Sequence, residues 1–255
     1  MSKPRRANSG NPPEVVKKIE ALNVAASRNS SSLRELVQKS LADRNLLVRS
    51  RALGAALQNE VREFEPEARR LLADRAVLVR VAAVEYLGWF YAGTGISARW
   101  LYPMLEDCAE LVRVEALDSL GAIGDRRAVA RIACCLRDKK PLVRAYAASA
   151  LGELKARKYL SQLQRQFQNE KNESARVGLA AARFEMGDAA GFDDLLSFLG
   201  STQYVVRCAA ANSLTYLKLN KGQKAKALAA ITYASKNFIA RADQPTMLEA
   251  IRDLQ

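Results

Sequence analysis

The sequence predicts an all-α solenoid of about six stacked helix pairs with capping helices at its ends. Two observations carry that fold class. The dipeptide Val-Arg recurs at Val48-Arg49, Val79-Arg80, Val112-Arg113, Val143-Arg144 and Val206-Arg207. Ala175-Arg176 fills the one gap, so successive arginines stand 31, 33, 31, 32 and 31 residues apart. Within each period, apolar residues recur at helical spacing, and no stretch alternates apolar and polar residues as a half-buried strand does. A two-helix repeat cannot bury its apolar stripe alone, so repeats of this length stack and share one continuous core.

Residues 1–13, "MSKPRRANSGNPP", are basic, polar and rich in Pro and Gly, and read as a disordered leader without the apolar stretch of a signal peptide. Residues 14–218 read as the solenoid, opened by an N-terminal capping helix at 14–27, "EVVKKIEALNVAAS". Six residues before the repeat arginine stand Asp43, Asp74, Asp107 and Asp138, then Glu170 and Ser201. Three residues after it comes Ala52, Ala83, Ala116, Ala147 or Ala210, with Leu179 the exception, and Leu87, Leu120, Leu151 and Leu214 come seven after. In the fourth repeat "DRRAVARIACCLRD" supplies the first helix, A, with Asp125 as its N-cap, and "KPLVRAYAASALGEL" supplies the second, B. Val143, Ala147, Leu151 and Leu154 form the core stripe of that B helix, and the alanines predict close helix approach. After Leu217, "KGQKAKALAAITYASKNF" and "QPTMLEAIRDL" lack the Val-Arg mark, so 219–255 read as C-terminal capping helices.

The stretch "LVRVEALDSLGAIGDRRAVARIACCLRDKKPLVRAYAASALGEL" at 111–154 resembles the HEAT-like repeats first associated with phycobilin lyases. The resemblance extends over roughly residues 40–218 and is weaker in the fifth and sixth repeats. It implies a right-handed α-solenoid with B helices on the concave face and A helices on the convex face. It also implies that the repeated acid and arginine form a ladder along the seam between repeats. Asp43, Arg49, Asp74, Arg80, Asp107, Arg113, Asp138 and Arg144 are therefore read as architecture, since a buried arginine is seldom left unpaired.

The chain has no histidine. That removes the commonest general base, the commonest metal ligand and every histidine-based triad. Deoxyhypusine hydroxylase, a di-iron enzyme of HEAT repeats, resembles this chain in architecture, but its His-Glu ligand pairs have no counterpart here. Cys108, Cys134, Cys135 and Cys208 form neither a disulfide framework nor a C-x-x-C pattern, and most read as small buried apolar residues. The expectation is a non-enzymatic protein with no cofactor and no metal. No apolar run approaches the roughly 18 residues of a membrane span, and the expected location is the cytoplasm.

Forty basic residues against 27 acidic give a net charge of +13, which brings polyanions into question as partners. Alkylpurine DNA glycosylases, also built of HEAT-like repeats, resemble this chain in helix layout and need a basic concave face. Positions one, two, five and nine after the repeat arginine should face the concave side. Among small residues they hold Arg51, Glu85, Trp89, Glu115, Asp118, Tyr146, Glu153, Glu185, Asn212 and Tyr216, of which five are acidic and one basic. Most basic residues fall instead on A helices and loops: Arg126, Arg127, Arg131, Arg137, Lys139, Lys140, Lys155, Arg157, Lys158 and Arg165. These read either as a solvated outer face or as a patch for nucleic acid or anionic membrane.

The segment "YLGWFYAGTGISARWLY" at 86–102 holds six of the chain's 17 aromatic residues. Aligned on the next repeat it carries two inserted residues. Phe90, Leu101 and Leu105 fall at core positions, Trp89 opposite Ala122 at the concave rim, and Trp100 opposite Arg131 at an outward position. The longer loop either buries its own rings or presents an anchor to a partner. The sequence thus favours a scaffold or adaptor that grips a basic or amphipathic segment of a protein partner. The residues assigned to it are Glu85, Trp89, Tyr91, Trp100, Glu115, Asp118, Tyr146, Glu153 and Glu185. A nucleic-acid-binding protein using the basic A-helix surface ranks second. A lyase-type accessory subunit, as in the two-subunit phycobilin lyases, ranks third.

Overall fold

The computed structural model describes residues 12–28, 31–237 and 244–254, so the predicted leader lies outside the described residues up to residue 11. Among the described residues fourteen α-helices and four 3-10 segments follow one another, and there is no strand. They form two compact units, one up to Phe90 and one from Tyr91 onward.

The first unit opens with α1 (Pro13–Ser27), which packs on α3. The first helix pair is α2 (Leu33–Ser40) with α3 (Leu46–Gln58). The second begins with a 3-10 turn, Arg62–Phe64, running into α4 (Glu65–Leu71), and is completed by α5 (Val77–Tyr91). In the second unit the third pair is a 3-10 segment, Arg99–Glu106, with α6 (Glu110–Ile123). A turn at Arg126–Ala128 leads into α7 (Val129–Cys135), paired with α8 (Pro141–Glu153). A turn at Arg157–Tyr159 leads into α9 (Leu160–Asn169), paired with α10 (Glu173–Glu185). The sixth pair is α11 (Ala190–Phe198) with α12 (Tyr204–Tyr216), closed by α13 (Lys221–Asn237) and α14 (Gln244–Leu254).

The A elements are shorter than the sequence predicts. Several begin as 3-10 turns, and Arg99–Glu106 is 3-10 throughout, with Pro103 inside it. Proline offers no N–H and its ring clashes with the preceding turn, so an α-helix does not propagate through that position. The B helices make the core. Val48, Val79, Val112, Val143 and Val206 are fully buried, as are all five repeat alanines and Leu87, Leu120, Leu151 and Leu214. In the second unit α8 packs between α6 and α10. The backbones of α8 and α10 come so close at Gly178 that a Cβ there would meet the Ala145 carbonyl oxygen at 2.8 Å.

Arg49, Arg113 and Arg144 each bind in two directions. Arg49 makes a two-pronged pair with Asp74, with its Nε and Nη2 each 2.8 Å from a carboxylate oxygen. Arg113 does the same with Asp138 at 2.8 and 2.9 Å, and Arg144 with Glu170 at 2.6 and 2.7 Å. The carboxylate therefore comes from the following repeat, about 25 residues on. The acid six residues upstream offers its backbone carbonyl instead: Asp43 to Arg49, Asp107 to Arg113 and Asp138 to Arg144, each at 2.8 Å. Arg80 likewise donates to the Asp74 carbonyl at 2.9 Å. Each acid also caps its own loop, as Asp138 accepts from Lys140 N–H at 2.8 Å. Burial alone would raise the Asp138 pKa, but the Arg113 guanidinium and the Lys140 N–H outweigh it and hold the carboxyl below its ordinary value.

The ladder changes character where position 201 is serine. Arg176 finds no carboxylate there and lies over the rings of Phe167 and Phe198, 4.5 and 5.4 Å from their centroids. Ser201 donates to Glu173 at 2.6 Å. Nearby, the buried Arg183, which carries no repeat mark, pairs with Asp188 at 2.8 Å and Asp194 at 2.7 Å.

Candidate functional site

Glu115, Asp118, Tyr146, Glu153 and Glu185 are brought together on the adjacent helices α6, α8 and α10. Asp118 is open to water, yet partial loss of hydration raises its carboxyl above its ordinary value. The Glu153 side chain is exposed, yet its neighbours strip part of its hydration. That desolvation, with the charges of Asp118 and Glu185 added, pushes it up to about 7, against a smaller opposing hydrogen bond from Ser149. Glu185 is raised by burial and partly relieved by the Lys155 ammonium. Tyr146 is raised by burial, then by Asp118 and Glu115. Among the described residues Asp118, Glu153 and Glu185 make no ion pair within 4 Å with a lysine or arginine.

Two glycines position this cluster. A Cβ on Gly121 of α6 would collide with the Glu153 carboxylate reaching across from α8, and one on Gly152 of α8 would collide with Glu185 from α10. The Leu-Gly dipeptides at 120–121 and 151–152 thus give the next helix's glutamate a place to lie. Their recurrence at 87–88, 120–121 and 151–152 was the sequence signal for this, and the side chain each glycine accommodates became evident only on folding.

The remaining residues expected at the concave rim divide. On α5, Glu85 is exposed and Trp89 is 60 % exposed, the largest ring surface open to water in the aromatic segment. Tyr91 and Trp100 do not join the acidic groove. Trp100 sits on the A element, half-buried, with its ring tilted against Tyr91 at 5.6 Å between centroids. The reason is the two-residue insertion. Gly93 and Gly95, at φ 71° and 63°, turn the loop so that their N–H groups donate to the Ala122 and Ile123 carbonyls at the end of α6, each at 2.7 Å. The fully buried Asp125 then accepts from Ala98 N–H at 2.9 Å and from the Tyr102 hydroxyl at 2.8 Å. The longer loop is thereby a cap on the next B helix, and folding it back stacks Tyr91 on Trp100. Trp89, one turn earlier, is left outside.

The basic residues of the A side do not form one patch. Arg131 lies over the Tyr102 ring at 4.6 Å, beside a groove also lined by Arg137 and Lys139. Lys140 pairs with Glu110 at 3.4 Å. Arg127 stands 3.5 Å from Asp125 and donates to the Gly95 carbonyl at 3.3 Å. Arg126, Lys155, Arg157 and Lys158 gather around a separate cleft. The cysteines also depart from expectation. Cys135 is buried and Cys208 half-buried, but Cys108 and Cys134 are exposed on the walls of the Arg131 groove, because the short A elements leave their outer faces uncovered. Among the described residues no group of His, Cys, Asp and Glu could hold a metal ion, and no helix is long and apolar enough to cross a membrane.

Residues 98–183, which contain the acidic groove apart from Glu185, match a family model described as HEAT repeats. No curated protein matches the chain. Among solved structures it is similar to the complex of CpcE and CpcF of phycocyanin lyase from Nostoc sp. PCC7120, at 16% identity over 100% of both chains with a TM-score of 0.58. It is also similar to YibA of Escherichia coli, at 18% identity over 99% of both chains with a TM-score of 0.50. At these identities the likeness is one of fold.

Proposed function

We propose that this HEAT-repeat protein is a non-catalytic binding scaffold whose acidic groove holds a lysine- or arginine-bearing segment of a protein partner. The observation that carries the reading is the set of Asp118, Glu153 and Glu185 from three successive B helices, each raised by loss of hydration, with Glu153 raised further by the charges of the other two, and, among the described residues, without ion pairs to a lysine or arginine. A cation placed among them relieves repulsion that the folded protein otherwise carries, so the groove favours a positive side chain. Tyr146 adds ring surface beside the charges.

The test is fluorescence anisotropy with a labelled amphipathic peptide bearing lysines at helical spacing. Binding should weaken with added salt, tighten as pH rises through 7 while Glu153 ionises, and be lost in Asp118→Lys/Glu185→Lys. Affinity unchanged by the double reversal would refute the groove. The nucleic-acid reading is less well supported, because Arg127, Arg131 and Lys140 are already occupied by neighbouring groups. The likeness to CpcE and CpcF supports another reading, an accessory subunit in a complex, which the same groove would serve.

A further inference from the structure

At the second unit's other charged site, Arg126, Lys155, Arg157 and Lys158 line a cleft floored by the buried Val129 and Ala156. All four cations are exposed, and among the described residues none of them is in an ion pair with a carboxylate. The Lys155 ammonium acts on the Glu185 carboxyl of α10 without pairing with it. Arg126 is held in place across the repeat junction, where its Nη1 donates to the Leu154 carbonyl at 3.0 Å and leaves the rest of the guanidinium fork available. The Lys158 ammonium sits 5.2 Å over the Tyr159 ring.

What distinguishes this turn from the two glycine turns of the same unit is its charge. Eleven residues after the repeat arginine the chain takes a left-handed conformation, with φ 80° at Gly124, 101° at Gly187, 49° at Lys155 and 53° at Glu60. Glycine adopts that conformation freely, whereas lysine there is strained. One residue on, Asp125 and Asp188 place a carboxylate in the two glycine turns, accepting from Arg127 N–H and Ala190 N–H at 3.1 Å each. The lysine turn has Ala156 instead, and no side chain caps it. This turn has no carboxylate of its own, and its Lys155, Arg157 and Lys158 share the cleft with Arg126 of the preceding turn.

We propose that the cleft binds the phosphate group of a small phosphorylated ligand, seated between Arg126 and Lys155 with Arg157 and Lys158 closing over it. A doubly charged oxyanion relieves the mutual repulsion of the four cations, and its flat pairs of oxygens match the guanidinium fork. It supplies the negative charge that Asp125 and Asp188 supply in the sister turns.

The probe is inorganic pyrophosphate, titrated into the full chain by calorimetry at constant ionic strength. Saturable one-to-one binding is expected. Lys155→Gly should raise the melting temperature, because it relieves the left-handed lysine, and yet weaken pyrophosphate binding at least tenfold. Ala156→Asp, which restores the built-in carboxylate, should weaken it to a similar degree. Lys224→Ala, on α13, should leave it unchanged. Retention by phosphatidic-acid vesicles, lost in Lys155→Gly, would mean the phosphate is a lipid headgroup; no retention would mean a soluble ligand. The proposal is overturned if pyrophosphate does not saturate, if both cleft variants bind like the wild type, or if a random DNA duplex binds more tightly and is lost in the same variants.

Discussion

Glu153 shows how far a single side chain's chemistry depends on its neighbours. Asp118 faces it from α6, Glu185 from α10, and Tyr146 and Ser149 stand on its own helix, with Lys155 beyond Glu185. Its folded pKa of about 7 lies above its ordinary value of 4.5. The neutral form is thus favoured by folding, and the associated stability is full below about pH 4.5 and lost as pH rises to about 7. Glu153→Gln, neutral at every pH, should therefore melt higher than the wild type at pH 8, with the gap closing by pH 4. A gap independent of pH would mean that Glu153 titrates normally. Trp89 tests the opposite case, a side chain with little to lose on the fold. At 60 % exposure, its truncation to alanine should cost less than about 1 kcal/mol of stability. If the ring anchors the partner, the same change should weaken peptide binding by about 2 kcal/mol. Large destabilisation with binding intact would make it a packing residue.

Among the elements, the seam between repeats carries the most concentrated interactions. Arg113 spans α6, the preceding loop and Asp138 of the next repeat, all with little exposure. Arg113→Ala should cost about 2 to 4 kcal/mol in denaturant unfolding, because it leaves the half-buried Asp138 carboxylate unpaired as well as removing the arginine. A change under about 0.5 kcal/mol would mean that the seam is held by apolar packing alone. The meeting of α8 and α10 is governed by size. Gly178 stands against the Ala145 backbone, so Gly178→Leu should force the helices apart and cost about 1 to 3 kcal/mol or more by overpacking. Gly200→Leu, on a loop with only one neighbouring atom at 3.4 Å, should cost less. The aromatic loop is also an element-scale device. Gly93 and Gly95 turn it onto the carbonyls of α6, which is why its rings stack on each other rather than line a groove.

For the whole molecule, circular dichroism should show a strongly helical spectrum without a strand component, as the helix inventory requires. The net charge of +13 coexists with a locally acidic groove. Net charge is a sum over the surface and does not report which face carries which sign, and it is the face that a partner meets.

The repeat period, the helical class, the B-helix core stripe and the placing of Asp118, Glu153 and Glu185 on successive B helices were all legible in the chain. Each follows from local spacing on a helix of 3.6 residues per turn. The fixed distance from Asp107 to Arg113 showed that acid and arginine belonged together. Only the tertiary structure decided that Arg113 meets the carboxylate of Asp138 and the carbonyl of Asp107, because which repeat supplies the partner depends on how repeats stack. It likewise decided that Glu153 lies across Gly121, that Trp100 turns onto Tyr91 while Trp89 stays in water, and that Cys108 and Cys134 face outward. Those outcomes depend on the distance between helices and on the path of a turn. Both are set by the packing of residues far apart in sequence, and neither is written in the periodicity of any one segment.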